Sequence, residues 1–196
     1  MLLVQFIFGL LIKTFGLALI IRSHLGTGAW EAFYIGLSKN TGLSIGFWII
    51  IIGFFLIWFN AWLWRRKPTY SSFVTIAIVG LFIDWWLGLL EITPYSLLSQ
   101  MTMFWIGLFI AAMGASLYLL SNVSPTPIDQ LMLALSHRFQ VSLMSAKTIG
   151  ELFALVFALA LHGSIGFGTV IFTLLFGPLI QFFMTGWKKV SNNRAG

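Results

Sequence analysis

Only five acids occur among the 196 residues, and most stand where a charge must serve some purpose. Glu31 and Asp129 lie 98 positions apart, inside the polar stretches SHLGTGAWEAFYIGLSK and SNVSPTPIDQLMLALSH. Asp84 and Glu151, together with Lys13, fall within otherwise apolar runs. Carboxylates so placed can hold a cation, a proton or a substrate amine, and Thr27 and Thr126 offer hydroxyls a few residues before Glu31 and Asp129. These seven residues are the candidate substrate- or ion-binding set. Each acid also has an ordinary explanation. An acid in the first turn stabilises a helix start by capping and dipole interaction, typically by under about 1 kcal/mol. Glu151 follows Lys147 by one turn and can form an i,i+4 pair. Asp84 can snorkel or pair with Lys13 or Arg22.

Other chemistries find little support. His24, His137 and His162 show no metal-ligand spacing, so neither metal nor cofactor is expected. The sequence has no His–acid cluster and no G-x-S-x-G elbow for acid–base or nucleophilic catalysis, and an enzyme is not expected. It has no cysteine, which excludes a disulfide framework.

The elements that must position these residues are membrane spans. Hydrophobic residues make up 59% of the chain and charged ones 8%, against about 25% charged in a soluble domain. Six apolar runs approach the roughly 20 residues a helix needs to cross the bilayer: Leu2 to Ile21, Leu43 to Trp64, Ser72 to Leu90, Thr102 to Leu120, Leu143 to Leu161 and Phe167 to Trp187. The first lacks the basic lead and cleavage site of a signal peptide and is read as a retained helix. The intervals between runs are too short for a soluble domain, so residues 1–196 are read as a single membrane domain. The net charge of +6 comes from residues at the edges of apolar runs, which argues against nucleic acid and for the lipid bilayer as partner. With both termini cytoplasmic, Arg65, Arg66, Lys67, Arg138, Lys188, Lys189 and Arg194 fall inside and only Arg22 and Lys39 outside, as the positive-inside rule requires. Trp62, Trp64, Trp85, Trp86 and Trp187 lie near span ends, where an aromatic belt is expected.

Sliding the sequence by 98 residues aligns the two polar stretches without a gap and gives thirteen identities over the 56 positions from Gly9 to Trp64. A further one-residue shift sets VGLFIDWW on FGPLIQFF, placing Gly80 on Gly177. Each copy, residues 2–90 or 100–187, carries three spans. An odd number forces the second copy to enter from the opposite side. The expected fold is all-α, with six transmembrane helices as two inverted three-helix repeats. Such repeats are a common architecture of secondary transporters, with the site at the repeat interface.

Each copy also contains a short helix after its first span. Thr126 can cap it in the second copy, with Pro127 in the first helical position and Asp129 at the third. Gly28 and Glu31 play these parts in the first. The helices should end near Asn40-Thr41-Gly42 and Phe139-Gln140, giving about twelve residues and about 18 Å. Neither can span the membrane, so each is re-entrant or interfacial.

The segments LGTGAWE, GLS and TGLSIG, followed by a long apolar helix and a basic turn, resemble the first repeat of the bacterial YczE/YitT family of six-span membrane proteins. The resemblance covers nearly the whole chain and implies a multi-pass protein of the bacterial inner membrane with a transporter-like role. That family's loop usually reads L-G-x-x-P-W-D. Here Ala29 and Glu31 replace the proline and the aspartate, whereas the second copy keeps Pro127 and Asp129.

The functional expectation is secondary transport of a small molecule or ion. Two alternatives stay open: a substrate-binding subunit of an ATP-driven transporter, which this chain's lack of a Walker motif would require to have a separate ATPase, and a non-transport accessory or assembly factor. Substrate, coupling ion and homo-oligomer formation are not readable from the sequence.

Topology is open to direct test, because any cysteine introduced is unique. Cysteines at Ser96 and Ser164 should react with an impermeant thiol reagent in intact cells, and one at Ser191 should not. Labelling at Ser191, or none at the other two positions, would contradict the orientation.

Overall fold

A computed structural model describes residues 2–193, which form eight α-helices: α1 (Leu2–Arg22), α2 (Ala29–Thr41), α3 (Ile45–Trp64), α4 (Ser71–Leu89), α5 (Leu97–Leu120), α6 (Pro127–Phe139), α7 (Leu143–Ala160) and α8 (Phe167–Asn193). Arg194, counted above among the inner cations, lies outside the described residues. Six of the helices are long and apolar enough to cross a membrane. Their limits follow the apolar runs except at α8, which continues six residues past Trp187 to Asn193, and at α5, which begins five residues before Thr102. There Ser96 caps the helix through a reciprocal box with Ser99. The short helices α2 and α6 have 13 residues each, about 20 Å at 1.5 Å per residue.

The chain divides into two units drawn from interleaved segments. One holds α1, α5 and α8; the other holds α2, α3, α6, α7 and α4 up to Trp85.

In the first unit α1 and α5 run antiparallel, since Gly16 lies against Gly107 and Ala111 while Gly9 lies against Gly114 and Tyr118. A Cβ on Gly107 would stand 2.7 Å from the Gly16 carbonyl oxygen, and one on Gly114 would stand 2.8 Å from that of Gly9. In lipid, helices gain no hydrophobic advantage by associating, so close van der Waals approach of this kind holds them. Thr14 is fully buried, and its hydroxyl donates to the Leu10 carbonyl at 2.8 Å within its own helix. Trp86 and Trp187, expected in the interfacial belt, bond inside the protein. Their indole N–H groups donate to the Leu11 carbonyl at 3.2 Å and to the Ser116 hydroxyl at 3.1 Å.

In the second unit α2 packs on α7, and α6 packs on both α3 and α7. α3 and α4 approach closely at a pair of glycines. A Cβ on Gly80 would lie 2.6 Å from the Gly46 carbonyl oxygen, whereas one on Gly88 would meet nothing within 4 Å. Overpacking a tight contact costs about 1–3 kcal/mol. Gly80→Leu should therefore lower the melting temperature of the purified protein clearly, and Gly88→Leu should leave it nearly unchanged. Equal tolerance at the two positions would contradict the close packing of α3 on α4.

Candidate functional site

The start of α6 is fixed from within and from outside. Thr126, in extended backbone with φ −71° and ψ 155°, precedes Pro127, whose missing N–H is harmless in the first turn. The Asp129 carboxylate Oδ2 accepts from the Thr126 hydroxyl at 2.7 Å and from its amide at 3.3 Å, while the Asp129 amide donates back to the Thr126 hydroxyl at 3.3 Å. Neighbouring spans serve carbonyls on both sides of the helix start. Asn60 Nδ2 donates to Pro127 O at 2.8 Å and Ser72 Oγ to Pro125 O at 3.0 Å, and Gln130 Nε2 donates to Ser72 Oγ at 2.6 Å. Non-helical backbone away from water survives in this way, by pairing within the protein.

α2 lies along the second half of α7. The Phe33 and Phe157 rings are 5.6 Å apart, and Asn40 Nδ2 donates to the Leu161 carbonyl at 2.9 Å. Residues 29–36 are buried except for the half-buried Glu31. Burial also raises the Tyr34 hydroxyl above the ordinary phenol range, with the Glu31 charge adding to the effect.

Trp30, one turn before Phe33, and the first two turns of α6 both reach the part of α7 around Gly150. The two helix starts border one cavity of about 190 Å³, lined by Trp30, Ile128, Asp129, Met132, Ala146, Lys147 and Glu151 among others. Lys147 Nζ and Glu151 Oε1 are 3.7 Å apart, with side chains 40% and 27% exposed. The pair runs Lys to Glu along the chain, the less favourable order for a helix. Two carboxylates and one ammonium thus face a small space beside an indole ring.

Of the candidates, Asp129, Glu151 and the Thr126 that holds Asp129 come together here, whereas Glu31, in the first turn of α2, is not among the residues that line the cavity. Lys13 and Thr27 belong to the other unit. Lys13 Nζ lies 5.2 Å from the centre of the Tyr118 ring, and Thr27 is buried. Asp84 departs from the expected pairing with Lys13 or Arg22. Its carboxylate accepts from Ser44 Oγ at 2.6 Å and from the Gly46 amide at 2.7 Å, tying α4 to the start of α3. The Arg22 guanidinium instead donates to the Leu87 carbonyl. Asp84 is a structural anchor.

Sequence reasoning missed Trp30 and the small-residue stripe of α7. Ala146, Gly150, Ala154 and Ala158 recur every fourth residue, and all are buried. A small-x-x-x-small pattern is a recognisable signal for close helix approach, and it clears the surface on which α2 and α6 lie.

A family described as a family of unknown function, DUF6198, matches residues 2–185. The uncharacterized protein YyaS of Bacillus subtilis is 37% identical over 192 residues, covering 96% of each chain. The uncharacterized membrane protein YczE of the same organism is 29% identical over 176 residues, covering 89% of this chain and 81% of its own. An uncharacterized protein of Haemophilus influenzae is 28% identical over 180 residues, covering 91% of this chain and 81% of its own. YczE bears out the resemblance drawn from the loop and its flanking helices. No solved structure matches.

Proposed function

The chain belongs to this DUF6198 family, and from that premise we propose that it is a secondary transporter of the bacterial inner membrane, built from two inverted repeats with cytoplasmic termini. Its proposed solute is a small cationic one. The observation that carries the proposal is the cavity where the starts of α2 and α6 meet Lys147 and Glu151 half-way along α7.

Several pairs of contacts support the inverted arrangement, because each becomes its partner under the 98-residue shift. Gly16 on Gly107 becomes Gly114 on Gly9. The Ser38 and Ser136 hydroxyls donate to the carbonyls of Leu43 and Val141, both at 2.7 Å. Ser44 and Ser142 cap α3 and α7 with the same 3.1 Å bond to the third helical amide. α2 packs on α7 as α6 packs on α3, each short helix lying on a span of the other copy. Burial of the first two turns of α2 favours a re-entrant over an interfacial helix.

The charge of the cavity favours a cation. Asp129 and Glu151 outnumber Lys147, and the Trp30 face adds a surface suited to an ammonium group. A volume near 190 Å³ lies below the roughly 300–1,000 Å³ of drug-sized pockets, so the charged group must be small. Alternating access would expose this site to each side in turn.

The test begins with a thermal-shift screen of purified protein against small amines and inorganic cations, since a ligand held by the folded state raises its apparent stability. Uptake of a retained compound into proteoliposomes should then fall at least tenfold in Glu151→Gln and Asp129→Asn, with both variants still folded. Undiminished uptake in both would leave the acids as helix caps. Uptake that requires ATP and a copurifying ATPase would favour the subunit of an ATP-driven system instead.

A further inference from the structure

The acid-bearing cavity shares two wall residues, Leu131 and Gly150, with a larger apolar cavity of about 420 Å³. Phe55 and Phe59 of α3 and Phe153 of α7 line that second space, and all three are exposed. On membrane spans, exposure of large apolar side chains is contact with lipid hydrocarbon, so the apolar cavity borders the bilayer interior. Its inner wall is the outer wall of the polar one. At that wall α7 presents Gly150, where a Cβ would meet nothing nearer than Leu131 Cδ2 at 3.8 Å. The Leu131 side chain therefore stands at the junction of the two cavities, against a residue that has no side chain of its own.

We infer that the ligand is a single-chain amphiphile with a cationic head, entering sideways from the hydrocarbon. The head occupies the small cavity beside Asp129, Glu151 and the Trp30 ring, and the aliphatic tail occupies the apolar cavity beyond Leu131. This deepens the proposed function and rests on the smaller cavity being the solute site. Charge complementarity selects the head, because two carboxylates and one ammonium leave a negative balance. Adjacency of the two cavities, which share Leu131 and Gly150, selects the tail. A fully hydrated ion would gain nothing from an apolar chamber open to lipid, whereas an alkyl chain moves there from the bilayer without crossing water. The volumes leave room for one short chain.

The experiment uses the full chain in lipid nanodiscs and three probes: tetramethylammonium, n-octyltrimethylammonium and n-octyl sulfate, with partitioning into empty nanodiscs subtracted. The octyl cation should bind saturably and at least tenfold more tightly than tetramethylammonium, and octyl sulfate should show no saturable binding. Glu151→Gln should weaken both cations. Ile52→Trp, which fills the apolar cavity, should reduce the octyl cation to the affinity of tetramethylammonium and leave the latter unchanged. Ile149→Phe serves the same purpose if Ile52→Trp fails to fold. Equal affinity of the two cations for the parent protein would overturn the amphiphile, while the solute site would still stand if Glu151→Gln weakened them. Saturable binding of octyl sulfate, or no saturable binding by either cation, would also overturn it. Failure of the solute site itself has a different signature: cation affinities that Glu151→Gln and Asp129→Asn leave untouched.

Discussion

Backbone polar groups cannot be left bare in hydrocarbon, and on the proposed re-entrant reading of α2 and α6 that constraint governs how both are held. A helix of 13 residues reaches about 20 Å, well short of the roughly 30 Å core of a bilayer. The segments leading into α2 and α6 are not helical, and each amide and carbonyl in them needs a partner. At α6 the spans supply these partners through Asn60, Ser72 and the reciprocal box of Thr126 and Asp129. These bonds anchor the backbone at the start of α6 beside the cavity. Within this network the Asn60 amide is paired only through Nδ2, and its Oδ1 is buried with no hydrogen-bond partner among the described residues.

Small residues supply the second requirement, which is room. The buried stripe Ala146, Gly150, Ala154 and Ala158 gives α7 a face without bulk, and both short helices settle against that helix. Glycine contacts also bring α1 close to α5 in one unit and α3 close to α4 in the other, where Asp84 adds hydrogen bonds to Ser44 and the Gly46 amide. Charge then enters where packing leaves a gap. Glu151 and Lys147 satisfy one another along one helix at 3.7 Å, and Asp129 is bound to Thr126. None of these charges is stranded, yet all reach a common space. Capping and ligand binding are thus compatible roles for the same carboxylate.

Much of this was legible in the sequence because membrane helices declare themselves by length and apolarity. The Thr126-Pro127-Asp129 pattern gave the start of α6 to the residue, and the Lys147–Glu151 pair followed from spacing. The start of α5 was missed because its box is Ser96 with Ser99, and serine at the third position lacks the acidic signal of the usual motif. Asp84 was misread since its partners, Ser44 and the Gly46 amide, lie about 40 residues away on a different helix. Trp30 could not be singled out, because an aromatic residue at a helix start becomes a cavity wall only when another segment folds against it. The four-residue stripe of α7 was visible but hidden among many small apolar residues.

Convergence of the starts of α2 and α6 on one cavity is the central claim, and short-range cross-linking tests it most directly. Cysteines replacing Trp30 and Met132 in this cysteine-free chain line the same small space. Cysteines replacing Ser71 and Ser124, whose hydroxyl oxygens are 3.0 Å apart, serve as a reference pair. A short bifunctional thiol reagent applied to native membranes should join both pairs. Efficient joining of the reference pair with none between positions 30 and 132 would contradict the account.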